Sequence, residues 1–353
     1  MFGFQPSIPP LPSDLSFNGK TALVTGANVG IGLSTCLHLL QHNLSTLLIS
    51  VRSASKGTAT KSHLLSDPIV KSLAVQPTIL IYQAEFSDPK SVKALADKVA
   101  VDLGDATLDV VVLNAGLVGW DLVRSEATGF EMMFQVNFVS TALLAILLLP
   151  LLKRSPSTVS SSSPASNEPA RLTFVGSSAQ SSTSLSNRSS ALASSSKPLF
   201  AQLSESASRT MGMLRYGDSK ILIYMFVREL AKHVDVNSDG SSRGVVVNDM
   251  CPGMVATSLE RTMPAWSTPF LWLIKGWRAR TPEVGGRTVV YAAALAGKES
   301  HGEFLNHEKI ARTKALEFIE TKNGTSIEKR VWEEMLALTQ EVAPGSVDAA
   351  GLH

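Results

Sequence analysis

Three glycines in one turn constrain this chain more than any other feature. Gly26, Gly30 and Gly32 follow the β-branched run Thr21–Thr25 and open an apolar stretch of helical length, Ile31–Gln41. Glycine permits a tight turn and close approach of the backbone to an anion, and a helix N-terminus offers free N–H groups to it. Strand, glycine turn, helix is the context that makes such a pattern a candidate dinucleotide site. The spacing here is three residues then one, not the one-then-two of the common dinucleotide fingerprint.

The pattern of that first unit recurs. Short apolar runs at Ser45–Val51, Thr78–Phe86, Leu108–Leu113, Arg171–Val175 and Gly244–Met250 read as strands buried on both faces. Helices are predicted between and after them over Ile31–Gln41, Pro89–Leu103, Gly129–Leu149, Tyr216–His233 and Pro282–Leu295, with a last one near Ile327–Gln340. Strand alternating with helix specifies an α/β fold, a Rossmann-type doubly wound parallel sheet with right-handed crossovers. Two runs interrupt it by composition. Ser155–Pro169 holds seven serines and three prolines, and Ser177–Ser208 is again dominated by serine. Both are expected to be mobile surface insertions, and the tail Ala343–His353 is expected to fray.

Length and charge then set bounds. At 353 residues the chain could hold two domains, yet the alternation accounts for one large α/β domain with additions. The expected division is a Pro-rich arm over 1–17, a domain over 18–310 and a helical extension over 311–353; within the domain, insertions fall near 155–169 and 181–208 and a lid near 257–281. Thirty-two basic against 30 acidic residues leave a net charge of +2, with no bulk drive toward nucleic acid. Met1–Gly19 carries no Lys or Arg and four prolines, unlike a secretory signal. The apolar run Phe138–Leu152 is 15 residues, short of a spanning helix, so a cytoplasmic protein without a transmembrane segment is expected. Two cysteines, Cys36 and Cys251, exclude a disulfide framework, and His38 and His42 lack the partners of a metal site.

Two features carry chemistry. The second strand ends Ile49-Ser50-Val51-Arg52 with no carboxylate to grip a ribose 2′-hydroxyl. Arg52, with Lys56 nearby, offers a planar fork suited to a 2′-phosphate, which points to NADP(H); a solvated loop charge is the plainer alternative. Tyr216 and Lys220 stand four apart at the start of an apolar helix, on one face. A neighbouring ammonium favours the phenolate and draws a tyrosine down from its usual pKa of about 10, as a general acid/base at cellular pH requires.

Taken together, Thr25-Gly26-x3-Gly30-x-Gly32, Asn114-Ala115-Gly116, Asn137, Ser177, Tyr216-x3-Lys220 and Pro252-Gly253 resemble the motif set of the short-chain dehydrogenase/reductase superfamily, over about Leu15 to Phe304. Within it the chain is similar to fungal, retinol-dehydrogenase-like members, many of which belong to secondary-metabolite pathways. The resemblance implies about seven strands in the sheet and these roles. Tyr216 exchanges the proton with the substrate oxygen, Ser177 holds that oxygen, Lys220 tunes the tyrosine and bonds the nicotinamide ribose, and Asn137 anchors a water that relays protons to Lys220. Gly26, Asn28, Gly30, Ile31 and Gly32 take the pyrophosphate. Asn114, Ala115 and Gly116 line the adenosine ribose, and Pro252, Gly253, Val255 and Thr257 flank the nicotinamide. It also implies a homodimer through the Gly129–Leu149 and Tyr216 helices. Three departures stand out: Ser178 adjoins Ser177; 39 positions separate Ser177 from Tyr216; and Glu85 stands after the third strand where aspartate is commoner beside the adenine.

On the substrate side, Met263, Trp266, Phe270, Leu271, Trp272, Ile274 and Trp277 follow Pro252-Gly253, and three of the chain's five tryptophans lie between 266 and 277. Such a segment suits a lid over a lipophilic, polyketide or terpenoid substrate. Core packing is one alternative and weak contact with a membrane surface is another, the latter helped by Lys275, Arg278 and Arg280. The expected activity is NADP(H)-dependent interconversion of a ketone and a secondary alcohol. A non-catalytic NADP(H)-binding regulatory protein and an epimerase or dehydratase of the same fold remain as alternatives.

Overall fold

The computed structural model describes residues 5–154, 168–207, 210–237, 242–257 and 279–352. The first strand, β1 (Thr21–Thr25), is buried along its length. Its side chains alternate: Ala22 and Val24 enter one apolar layer and Leu23 the other, as the two-residue period of a strand between two helical layers demands. After β1 come α1 (Gly30–Gln41), β2 (Thr46–Val51), α2 (Ala54–Ser66), the short α3 (Pro68–Lys71), β3 (Thr78–Gln83), α4 (Pro89–Leu103) and β4 (Val110–Leu113). A π-helical stretch over Phe134–Val139 runs into α5 (Ser140–Leu152), followed by β5 (Ala170–Val175), α6 (Leu185–Ser194), α7 (Leu199–Ser206), α8 (Gly212–Lys232) and β6 (Val245–Cys251). The chain closes with α9 (Pro282–Val290), β7 (Phe304–Asn306), β8 (Lys309–Ile310), α10 (Lys314–Ile319), α11 (Lys322–Val342) and α12 (Ser346–Ala349).

The sheet runs β3-β2-β1-β4-β5-β6-β7-β8, parallel except for the last pair, so the expected seven parallel strands gain a short antiparallel edge. Strand order reverses between β1 and β4, and the crevice at their carboxyl ends is where an open α/β sheet binds its ligand.

Three expectations about local structure are corrected. The helix predicted over Gly129–Leu149 begins later, because Gly129 has φ +72, and runs on through Pro150 to Leu152. The serine-rich run after β5 is folded: α6 and α7 bury Leu185, Leu192, Leu199, Phe200 and Leu203. Residues 343–352 of the tail are docked rather than frayed, with Ala350 and Leu352 buried and Lys153 Nζ donating to the Ala350 carbonyl at 2.6 Å.

The apolar faces of α5 and α8, expected to meet a second copy, are largely buried within the chain. Among the described residues one stretch, Phe134–Leu152, is long and apolar enough to cross a membrane, yet it is largely buried within the chain. The chain's own α11 covers α8: Trp332 packs on Phe226 at 5.7 Å between ring centroids and stacks on His233 at 4.8 Å, and Arg228 donates to Glu328 at 2.8 Å. The same helix fastens the serine-rich insertion. Glu334 accepts the open backbone N–H groups of Leu199 and Phe200 at the start of α7, and Arg330 donates to the carbonyls of Leu192 and Lys197. A homodimer is therefore not needed to bury these helices.

Candidate active site

The glycine turn is built as the spacing requires. Gly26 and Gly30 have φ +64 and +57, a region that favours glycine. A Cβ on Gly32 would stand 2.4 Å from the Gly26 carbonyl oxygen, so that position admits no side chain. Asn114 Nδ2 donates to the Thr25 and Gly26 carbonyls at 2.9 and 3.3 Å, and Thr25 Oγ1 accepts from the Asn114 and Ala115 backbone. Asn114 thus braces the turn across the β1–β4 crevice. The start of α1 has no side-chain cap and no acid in its first turn, leaving its N–H groups to a ligand. Thr257 closes the turn from above, 3.1 Å from where a Gly30 Cβ would lie, and Ile31 and Val255 both pack against Gly285 of α9. Asn28 sits half-buried in the turn itself.

Arg52 stands one residue past β2, with Lys56 exposed in the first turn of α2. Arg52 is not a lone cation: its Nε lies 3.3 Å from Glu85 Oε2, and both side chains are substantially solvent-accessible. The predicted basic site and the predicted adenine-side acid are thus one ion pair.

The catalytic candidates converge at the carboxyl ends of β4, β5 and β6. Lys220 Nζ donates to the Val175 carbonyl at 2.7 Å and lies 5.7 Å from the centroid of the Tyr216 ring. Burial lowers the pKa of Lys220, while Asp249 and Cys251 nearby oppose that fall. Ser177 starts the 3₁₀ turn Ser178–Ser182, its Oγ accepting from the Ala179 N–H at 3.2 Å. Gly217 lets α8 meet this turn: a Cβ there would be 2.7 Å from the Ala179 carbonyl oxygen. Contact of that closeness brings the Tyr216–Gly217 turn of α8 onto the 3₁₀ turn that follows Ser177, despite the long sequence interval. Ser178 is otherwise engaged, its hydroxyl donating to Cys251 Sγ at 3.2 Å.

Asn137 lies in the π-helical stretch. Its Oδ1 accepts from the Leu117 N–H at 2.8 Å, and its Nδ2 donates to the Leu117 carbonyl and to Ser219 Oγ. Ser219 in turn donates to the Tyr216 carbonyl at 2.8 Å. The side chain therefore orients the tyrosine turn of α8 and the loop after Gly116.

Some participants were not legible in the sequence. Gln5 of the Pro-rich arm clamps the Pro252-Gly253 loop, accepting from the Met254 N–H at 2.8 Å and donating to its carbonyl at 2.9 Å. Arg280, expected as a membrane-facing charge, is buried and donates to the carbonyls of Pro252 and Pro6. Its backbone pairs with Val255, so arm, Pro252-Gly253 loop and the returning chain are tied together. No motif marks Gln5, and a single arginine is a poor signal. The lid residues Met263, Trp266, Phe270, Leu271, Trp272, Ile274, Trp277, Lys275 and Arg278 lie outside the described residues. Among the described residues no cluster of metal-ligating side chains occurs.

Comparison with known proteins follows the same direction. The short chain dehydrogenase family profile matches residues 20–184. The short chain dehydrogenase macD of Penicillium terrestre is 34% identical over 332 residues, covering 94% of each chain. Among solved structures, the Pseudomonas aeruginosa RhlG/NADP active-site complex superposes with a TM-score of 0.57 at 24% identity, over 84% of this chain and 97% of that one. A 7α-hydroxysteroid dehydrogenase complexed with NADH and 7-oxo glycochenodeoxycholic acid gives 0.56 at 19%, over 83% and 94%. The fold is thus shared by proteins solved with either nicotinamide cofactor.

Proposed function

We propose, since this chain belongs to the short-chain dehydrogenase/reductase family, that it is an NADP(H)-dependent oxidoreductase interconverting a ketone and a secondary alcohol on a lipophilic substrate of secondary-metabolite type. The observation that carries this reading is the Lys220 ammonium set over the Tyr216 ring, with the Ser177 turn packed against the same helix. The residues fit a dinucleotide: a glycine cradle that a side chain would fill, an uncapped helix start and a basic residue after β2. When bound, the cofactor supplies or accepts the hydride. The protein's own groups handle the proton and the orientation. In reduction the Tyr216 hydroxyl gives its proton to the carbonyl oxygen as that oxygen becomes an alkoxide, and the Ser177 hydroxyl donates to the same oxygen. The Lys220 charge stabilises the phenolate left behind.

Exposed Leu122, Val123, Met211, Met213 and Met254 support a lipophilic substrate, because they sit on segments after β4, before Tyr216 and after β6. For the cofactor, Arg52 supports a 2′-phosphate, whereas Glu85 beside it would repel one. Arg52→Ala should weaken NADPH binding about 10- to 100-fold, the loss of a charge-assisted hydrogen bond, and leave NADH little changed. Glu85→Gln should strengthen NADPH. Fluorescence titration with both cofactors checks this; indifference of both to Arg52→Ala, with NADH lost in Glu85→Gln, would assign the site to NAD(H).

A further inference from the structure

The active-site lysine has a buried acidic neighbour that the dehydrogenase reading does not use. Asp249 is fully buried on β6, paired in register with Phe174 of β5. Neither carboxylate oxygen has a hydrogen-bond partner of good geometry, although the backbone N–H groups of Gly176 and Met250 lie close enough to favour its charge. Its Oδ1 reaches under Gly176, where a Cβ would stand only 2.1 Å away. Lys220 Nζ is held 2.7 Å from the carbonyl of Val175, the residue before. Ammonium and carboxylate therefore flank a single peptide, Val175–Gly176, at the end of β5. Burial lowers the proton affinity of the lysine and raises that of the aspartate, and each charge opposes the shift of the other. Unpaired, either ion would be costly in this dry site.

We propose that Asp249 is the buried counter-charge of Lys220, a positioning residue that keeps the ammonium charged beneath the Val175–Gly176 peptide and aimed at Tyr216. Gly176 is glycine because the carboxylate occupies the space of its side chain. Among the described residues, few other groups face the pair. Lys220 meets Cys251 and the Tyr216 ring, and Asp249 meets Tyr224, itself beside Arg228 and near Glu303.

The inference rests on the proposed roles of Tyr216 and Lys220, and its test has one arm that needs no turnover. In alcohol oxidation Tyr216 must be phenolate, so kcat/KM rises with pH through an acidic limb. Asp249→Asn removes the counter-charge, Lys220 loses its proton more readily, and the phenol holds its proton longer. The limb should move up by about one pH unit or more with NADPH affinity unchanged. A limb that stays in place or moves down would overturn the proposal, since Lys220 would then keep its charge without Asp249. The second arm is thermal stability. Lys220→Met should lower Tm by stranding the carboxylate, and adding Asp249→Asn should restore most of the loss; additive losses would overturn the pairing. This arm decides the question if Asp249→Asn alone does not fold. A chain inactive toward every alcohol and ketone would refute the oxidoreductase reading and leave the Tm comparison standing.

Discussion

Replacing Tyr216 with phenylalanine should lower kcat/KM for ketone reduction by about 10²–10⁴-fold, the usual contribution of a positioned general acid. NADPH affinity and Tm should stay near their original values. The variant is informative because it deletes one oxygen and little else. The ring remains over the Lys220 ammonium, Lys220 keeps its bond to the Val175 carbonyl, and the Tyr216 carbonyl still accepts from Ser219. What disappears is the hydroxyl that hands over the proton and leaves an anion beside the Lys220 ammonium. Steady-state assays with and without the hydroxyl, alongside cofactor titration, separate loss of proton transfer from loss of binding. Near-normal turnover would remove Tyr216 from the chemistry. A parallel loss of NADPH binding would make it a structural residue.

Truncation before α11 should be as severe for the fold as Tyr216→Phe is for the chemistry. Ile327, Val331 and Met335 are fully buried, and their burial contributes about 5–9 kcal/mol. Folded domains as a whole hold only about 5–15 kcal/mol. Removing residues 322–353 also uncovers Phe226 and strips α7 of the Glu334 carboxylate that caps it. The truncated chain is expected to aggregate or to associate through the bared face of α8, while light scattering of the full chain gives the mass of one copy. Full-length protein running as a dimer, together with a soluble and active truncation, would show that α11 is dispensable and that the family's helices associate in the usual way.

The central sheet was legible because a strand buried on both faces leaves a dense β-branched run, as at Val110–Leu113 and Val245–Cys251. Glycines under geometric constraint were legible too: nothing but glycine fits at Gly32. The serine-rich insertion misled because serine is a weak helix former. What folds α6 and α7 is a handful of leucines and a partner helix more than a hundred residues away, reached through Arg330 and Glu334. Contacts so distant in sequence leave no local period. Gln5 is the extreme case, a single amide satisfying both backbone groups of Met254 across 249 positions. Asp249 was hidden for another reason: in a run such as Val245–Cys251 one acid reads as an interruption, and only the lysine brought opposite by α8 gives it a partner.

The most direct test follows deuterium. Purified chain, NADPH carrying deuterium at the transferable nicotinamide position and a panel of lipophilic ketones are incubated, and the products are read by mass spectrometry. Deuterium should appear at the carbinol carbon of at least one alcohol, in step with NADPH oxidation, and vanish in Tyr216→Phe. NADPH held tightly but never oxidised, with no labelled alcohol from any ketone, would contradict the account and leave a protein that binds the cofactor without using it.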